Sequence, residues 1–297
     1  MSDKFDNILN FRDVGKTVNE YLGKRVLQEG VLYRSARPDD ASFSDRKKLK
    51  ETYGIRTVID LRTKTEHLKQ AQKRQADLKV PALLQSNAAL AEPVQIPGLN
   101  YLEIKVTGKK FENHLTKQLS WRRYLKLIAL YLSGYRIEAI RIIANDVMLP
   151  RGLVGMAIDT LDQSGAEIAE ALRTFLQPSS PAVLVHCTQG KDRTGLTVAM
   201  CLLILHVPLD AITHDYLLTQ TALTNDAPPQ ETEARLAEIA EMGLSPEWGD
   251  CPPNFVNKVA QHLEKTYGGV EKYLDGIGFG AAERVKFVQV LGARDGQ

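Results

Sequence analysis

The sequence predicts an α/β protein: a central, mostly parallel sheet flanked by helices, with a helical insert and a C-terminal helical lid. Two observations carry that expectation. Short runs that read as buried strands, Thr57–Leu61 and Ala182–Val185, alternate with longer segments of helical apolar spacing. Such alternation argues for a sheet covered on both faces by crossover helices. The 297 residues, 43% hydrophobic and 25% charged, are those of a soluble globular chain with ample material for a core. They are read as one domain over 1–297, with the insert at about 111–150 and the lid at about 221–262.

Taken in order, Asn10–Gly15 and Val31–Ser35 read as short strands joined by a hairpin or loop. Arg12, Asp13 and Arg34 stand there beside strand-like residues. Two roles are open for them: an ion pair that ties down the N-terminal segment, or an Arg34 that borders a binding site. Ser44 is placed to cap a helix that runs to Tyr53 and ends at Gly54. After the strand 57–61, which ends on Asp60, Arg62 and Glu66 lie four apart at a helix start, where an ion pair would brace the loop. The stretch 79–98 turns to Pro, Ala, Gln and Ser, and Asn100–Val106 then alternates like a half-buried strand.

From Leu119 to Met148 the spacing of Trp121, Tyr124, Leu125, Ile128, Leu132, Ile137, Ile140 and Ile143 is helical, broken at Gly134, and predicts a stripe facing the core. Leu161–Leu176 is expected to be one amphipathic helix leading through Pro178–Pro181 to the strand 182–185. The uncharged run Thr194–Leu209 predicts a buried helix, too short to span a bilayer. Glu231–Met242 is charged and poor in large apolar residues, which suits a mobile cover.

The balance of 38 basic and 36 acidic residues, a net charge of +2, argues against a general nucleic-acid binder. Three cysteines, Cys187, Cys201 and Cys251, form an odd set without metal-ligand spacing, so neither a disulfide framework nor a zinc site is expected. Met1–Asp6 lacks the apolar core of a secretory leader. A cytoplasmic location follows as the expectation, with no transmembrane segment and with peripheral membrane contact left open.

The chemistry concentrates in His186-Cys187-Thr188-Gln189-Gly190-Lys191-Asp192-Arg193-Thr194-Gly195, between the strand 182–185 and the uncharged helix. A tight loop entering a helix N-terminus leaves several N–H groups converging on one point, where they bind phosphate. Thr188, Gln189, Gly190 and Lys191 would form that nest. Gly190 permits an unusual φ, and Gly195 would let the first helical turn approach the strand. Cys187 would point into the nest as nucleophile, where the N–H dipoles and Arg193 favour thiolate over thiol. Arg193 would clamp two phosphate oxygens with its planar fork. Thr194 is placed to hydrogen-bond the sulfur or to cap the helix. His186, one residue earlier, should point to the other side of the strand and position the loop.

The run is not a nucleotide-binding P-loop of the Gly-x4-Gly-Lys-Ser/Thr type. Val185 stands at the place of its first glycine, and Asp192 at that of its hydroxyl residue. Other readings are a phosphate-binding module without catalysis, which has no need of the thiol, and a cysteine peptidase, which has no use for the arginine.

These residues resemble the cysteine-dependent protein tyrosine phosphatase superfamily, in a branch with mycobacterial and fungal members. The resemblance runs through Asn10–Gly15, Tyr33–Ser35, Ile59–Arg62 with Glu66, His186–Gly195, Asp215–Leu217, Tyr267–Gly269 and Tyr273–Leu274. It implies a phosphatase-type fold, a helical lid, no cofactor or metal, and phosphotyrosine as substrate, with phosphoserine/threonine or phosphoinositides in some members. Many members carry a general-acid Asp on a Trp-Pro-Asp loop before the cysteine. Here Trp121 is followed by Arg122-Arg123, and Trp248-Gly249-Asp250 comes after the loop. Asp192 is therefore expected to be the acid, with Asp60, Asp159 and Asp162 as fallbacks. Lys191 could receive a second phosphate, as in lipid phosphatases with Gly-Lys before the arginine, or could serve the single phosphate or Asp192.

Overall fold

A computed structural model describes residues 5–77, 95–178 and 182–293. Most of the Pro/Ala/Gln/Ser stretch 79–98 and residues 179–181 lie outside them. Among the described residues, β1 (Arg12–Asp13), β2 (Leu32–Ser35), β3 (Thr57–Asp60), β4 (Asn100–Glu103) and β5 (Val183–His186) form one sheet in the order β1-β2-β5-β3-β4. Only the β1–β2 pair is antiparallel. The expected mostly parallel α/β architecture is present.

Strand β5, late in the chain, lies at the centre. Its register aligns Ser35, His186 and Asp60 at the carboxyl ends of β2, β5 and β3. Because side chains alternate across a strand, the sheet feeds two cores. Leu32, Ile59, Val183, Val185 and Cys187 join one, and Tyr33, Val58 and Leu184 join the other. Cys187 and His186 therefore belong to opposite faces, as the sequence predicts.

The helices follow the chain with several departures. A helix, α1 (Val14–Leu22), connects β1 to β2 instead of a hairpin, and Asp13 is its N-cap rather than an ion-pair partner. The helix α2 (Phe43–Lys47) is capped by Ser42 in a capping box with Asp45, so Ser44 lies inside it. α3 (Lys64–Asp77) follows β3. The insert holds α4 (Lys109–Lys117), α5 (Trp121–Leu132), α6 (Arg136–Ile143) and the start of α7 (Leu149–Gln163), with Gly134 at φ 85° between α5 and α6. Non-helical torsions at Ser164 separate α7 from α8 (Gly165–Thr174), so 161–176 is two helices. α9 (Asp192–Ile204) packs on the Cys187 face and is buried on nearly every side. α10 (Leu209–Thr224), α11 (Pro229–Glu241), α12 (Phe255–His262), α13 (Val270–Gly276) and α14 (Ala281–Leu291) complete the fold.

The predicted core stripe of the insert is corrected in most of its members, although Ile128 and Ile143 do pack against the insert's core. Its own core consists of Phe111, Leu115, Leu119, Leu127, Ala139, Ile142 and Val147. Trp121, Leu125 and Leu132 are 68%, 56% and 79% exposed. Helical periodicity identifies an apolar face; whether anything packs against it depends on the neighbours. No helix among the described residues is long and apolar enough to cross a membrane.

Candidate active site

Between the end of β5 and the start of α9, the loop is pinned from behind by its carbonyls. The Asn10 side-chain amide donates to Gln189 O and Gly190 O at 3.2 and 3.1 Å. Arg34 Nη2 donates to Gly190 O at 2.8 Å, and the Arg37 N–H donates to Thr188 O at 3.2 Å. The N–H of a peptide unit points opposite to its C=O, so fixing these three oxygens turns the N–H groups of Gln189, Gly190 and Lys191 to the other side. Among the described residues, no acceptor in the protein takes the N–H groups of Gln189 through Arg193. Unpaired N–H groups at a helix N-terminus form an anion nest.

Gly190 makes the pinning possible. Its φ is 66°, and a Cβ there would lie 2.2 Å from Ser35 O. Left-handed torsions cost roughly 1–2 kcal/mol, and forced overpacking about 1–3 kcal/mol more. Gly190→Ala is expected to show that combined loss in urea unfolding; unchanged stability would refute the close approach. Gly195 differs from expectation. Its contact is with the Tyr216 ring of α10, where a Cβ would lie 2.9 Å away, rather than with a strand backbone.

Cys187 is 3% exposed, at the strand end facing α9. His186 is fully buried on the other face, and its Nδ1–H donates to Cys187 O at 3.1 Å. Burial pushes its ring toward the neutral form. It holds the carbonyl next to the thiol.

Arg193 has the partner that the sequence reading assigned elsewhere. Glu66 does not pair with Arg62; it holds Arg193 in a two-pronged ion pair, Nη1–Oε2 2.7 Å and Nη2–Oε1 2.6 Å. Nη1 also donates to Leu61 O at 3.2 Å, and Thr188 Oγ1 donates to Glu66 Oε1 at 2.5 Å. A guanidinium has five N–H donors. Partners among the described residues use three, which leaves the Nε–H and one Nη2–H on a single edge. Burial would push the Glu66 carboxyl up, but Arg193 outweighs it and holds the carboxyl well below the usual range. Glu66 thus stays ionised throughout any neutral or mildly acidic assay.

Arg62 instead lies between two carboxylates, with Nη1 and Nη2 on Asp39 at 2.6 and 2.9 Å and Nε and Nη2 on Asp60 at 3.0 and 2.8 Å. Asp60 also faces His67 and His186 at 3.6 and 3.7 Å. Burial alone would raise the Asp60 carboxyl, but its positive neighbours hold it well below the usual range. The cluster fixes the carboxyl ends of β3 and β5.

Arg34 makes contacts on two sides, to Asp215 and to the loop carbonyl of Gly190. Its Nη1 meets Asp215 Oδ2 at 2.5 Å, Arg12 Nε meets Asp215 Oδ1 at 2.7 Å, and Arg12 Nη1 donates to Asn10 Oδ1 at 2.5 Å. The N-terminal segment is therefore tied to α10 through Asp215, not through Asp13, while the same Arg34 grips Gly190. Asn10 and Asp215 lie within the motifs that carried the family resemblance, but no local pattern assigned either a role. Asn10 has a positive φ of 58°.

Lys191 is fully buried. Its Nζ donates to Asp192 Oδ1 at 2.8 Å, Trp248 O at 3.1 Å and Asp250 O at 2.9 Å, which uses all three of its donors. Asp192, at the first position of α9, has a side chain that is 45% exposed. Thr194 lies in the first turn of α9, past the cap position, so it is not a cap. Its Oγ1 is buried without a partner among the described residues, and the hydrogen bond expected to the sulfur is not formed. The fallback acids are engaged elsewhere: Asp60 in the buried cluster, Asp159 with Arg151 and His114, and Asp162 with His262 and Tyr267.

A family model described as "Tyrosine phosphatase family" matches residues 4–291. The chain belongs to the tyrosine phosphatase family. This phosphatase is 24% identical over 283 residues to a putative tyrosine-protein phosphatase of Cupriavidus necator, covering 91% of the chain and 81% of the relative. It is 26% identical over 298 residues to the triple specificity protein phosphatase PtpB of Mycobacterium tuberculosis, covering 92% of each. A tyrosine-protein phosphatase of Nostoc commune is 31% identical over 157 residues, half of each chain. The protein is accordingly a hydrolase of the protein-tyrosine-phosphatase type, acting on phosphorylated substrates.

Proposed function

We propose that this phosphatase hydrolyses protein phosphotyrosine, with dual specificity toward phosphoserine/threonine, through a phosphocysteine intermediate and without a metal. The observation that carries the reading is the Glu66–Arg193 pair beside the inward N–H groups. It presents one two-donor guanidinium edge next to the thiol, which suits two oxygens of a phosphate. The Cys187 sulfur attacks phosphorus as the bond to the leaving oxygen breaks, and Asp192 gives that oxygen a proton. Water then attacks the phosphocysteine, Asp192 takes a proton back, and inorganic phosphate and the thiolate are released. Thr194 Oγ1, without a partner among the described residues, is assigned to the departing sulfur.

Lys191, in this reading, sets the Asp192 carboxyl and holds the 248–250 backbone against the loop. Phosphoinositide hydrolysis is the alternative. There Lys191 would take a second phosphate only by giving up an oxygen partner. Of the segment 221–262, α11 is assigned as a cover, being largely exposed with Ile239 its one buried residue; α12 instead joins the main core through Phe255, Val256 and Val259. The chain 1–297 is read as one catalytic domain.

Asp192→Asn is expected to lower kcat/KM for a phosphotyrosine peptide by about 10²-fold. For p-nitrophenyl phosphate, whose phenolate leaves without a proton, the loss should be much smaller. Equal losses, or none, would remove Asp192 from the acid role. The same assay, run with chelator on phosphotyrosine and phosphoserine/threonine peptides and on mono- and polyphosphoinositides, tests substrate class. A preference for phosphoinositides would replace the protein-phosphatase reading, and loss of turnover with chelator would overturn the metal-free mechanism.

A further inference from the structure

The α5–α6 hairpin carries an apolar face that none of the described residues covers. At 100° per residue, Trp121, Tyr124, Leu125, Ile128, Tyr131 and Leu132 occupy an arc of about 120° on α5. All but Ile128 are exposed, and the tip between the helices, with Tyr135 and Ile137, is exposed too. Arg122 and Arg136 stand next to this face, Lys126 lies further round α5, and no acidic residue occurs between 121 and 137. Arg123 in the same stretch is neutralised by Asp146 at 2.6 Å. Two guanidiniums lie against rings at the edges of the face, Arg122 on Trp121 at 5.6 Å and Arg136 on Tyr131 at 5.8 Å.

We propose that this hairpin docks the enzyme on the surface of a bilayer containing anionic lipid, with α5 lying in the interfacial plane. Exposed Trp, Tyr and Leu on one face with Arg at its margins is the composition of an interfacial helix. Trp and Tyr rings favour the headgroup boundary, and unpaired basic side chains add attraction to acidic headgroups. Twelve residues rise only about 18 Å, so the helix lies on the membrane and does not cross it. A second copy of the chain fits less well, because a two-fold contact would set these cations against themselves.

The docking is independent of the catalytic reading, and the test keeps the two apart. Full-length enzyme is sedimented with vesicles of phosphatidylcholine alone and of phosphatidylcholine with phosphatidylserine. At least about tenfold tighter binding is expected to the anionic vesicles, weakening as salt is raised. A triple Trp121→Ser, Leu125→Ser, Leu132→Ser variant and a triple Arg122→Glu, Lys126→Glu, Arg136→Glu variant should each lose at least that factor. Both should turn over p-nitrophenyl phosphate in solution like the parent, which establishes that they are folded. No binding, no lipid preference, or variants that bind like the parent would overturn the proposal. So would a parent dimer in sedimentation equilibrium that the serine variant converts to monomer, since the face would then be a self-interface.

Discussion

Cys187→Ser is expected to lower phosphate release by roughly 10⁴-fold or more, the scale on which loss of a catalytic nucleophile is felt. A serine hydroxyl is a far weaker nucleophile than a cysteine sulfur, so the attacking group is lost while the cradle stays. The carbonyl pins from Asn10, Arg34 and Arg37, and the Glu66–Arg193 pair, do not involve the sulfur. The variant should therefore still bind a phosphotyrosine peptide. Acid quenching of the parent during turnover of a labelled substrate should trap label on Cys187, and none on the variant. Turnover that survives the substitution would place the chemistry elsewhere. A parent that binds but releases no phosphate would make the loop a binding module.

Arg193→Lys is expected to lower kcat/KM by roughly 10³-fold, comparable to removing a preorganised donor from a buried anion site. An ammonium cannot both meet the two Glu66 oxygens and present two parallel N–H groups to the substrate. Glu66→Gln should cost less, about 10–10²-fold, because the guanidinium remains but loses the partner that fixes its plane. The two residues are a unit, so Glu66→Gln made in the Arg193→Lys background should add little further loss. A double-mutant cycle measures this. Full additivity would mean that Glu66 does not act through Arg193. Thr188→Val, which removes the hydrogen bond to Glu66 Oε1, offers a milder version of the same test.

How much of this was legible follows from the distances over which each feature is determined. The β5–loop–α9 unit is local: a strand, a turn that requires Gly190, and an uncharged helix lie within 25 residues, so order along the chain dictates their placement. Placing Cys187 and His186 on opposite faces needed only strand periodicity. The partners of Arg62, Glu66, Arg34 and Arg12 could not be read in the same way. A salt bridge at i, i+4 is a local option, and it loses to a two-pronged pair once the fold brings Arg193 next to Glu66 across 127 positions of sequence. Lys191 likewise lies among the carbonyls of Trp248 and Asp250 because the chain returns there after two more helices. The stripe on α5 shows the converse, since an apolar period was visible but the absence of anything packed over it was not.

By itself, then, the sequence determined the fold class and the strand–loop–helix unit that carries the proposed nucleophile, clamp and nest, whose residues are adjacent in the chain. Only the tertiary structure decided which charges pair, which carbonyls orient the nest and which apolar face stays open. Those are properties of neighbours that have no fixed spacing along the chain, and burial strengthens every charge contact that the fold creates.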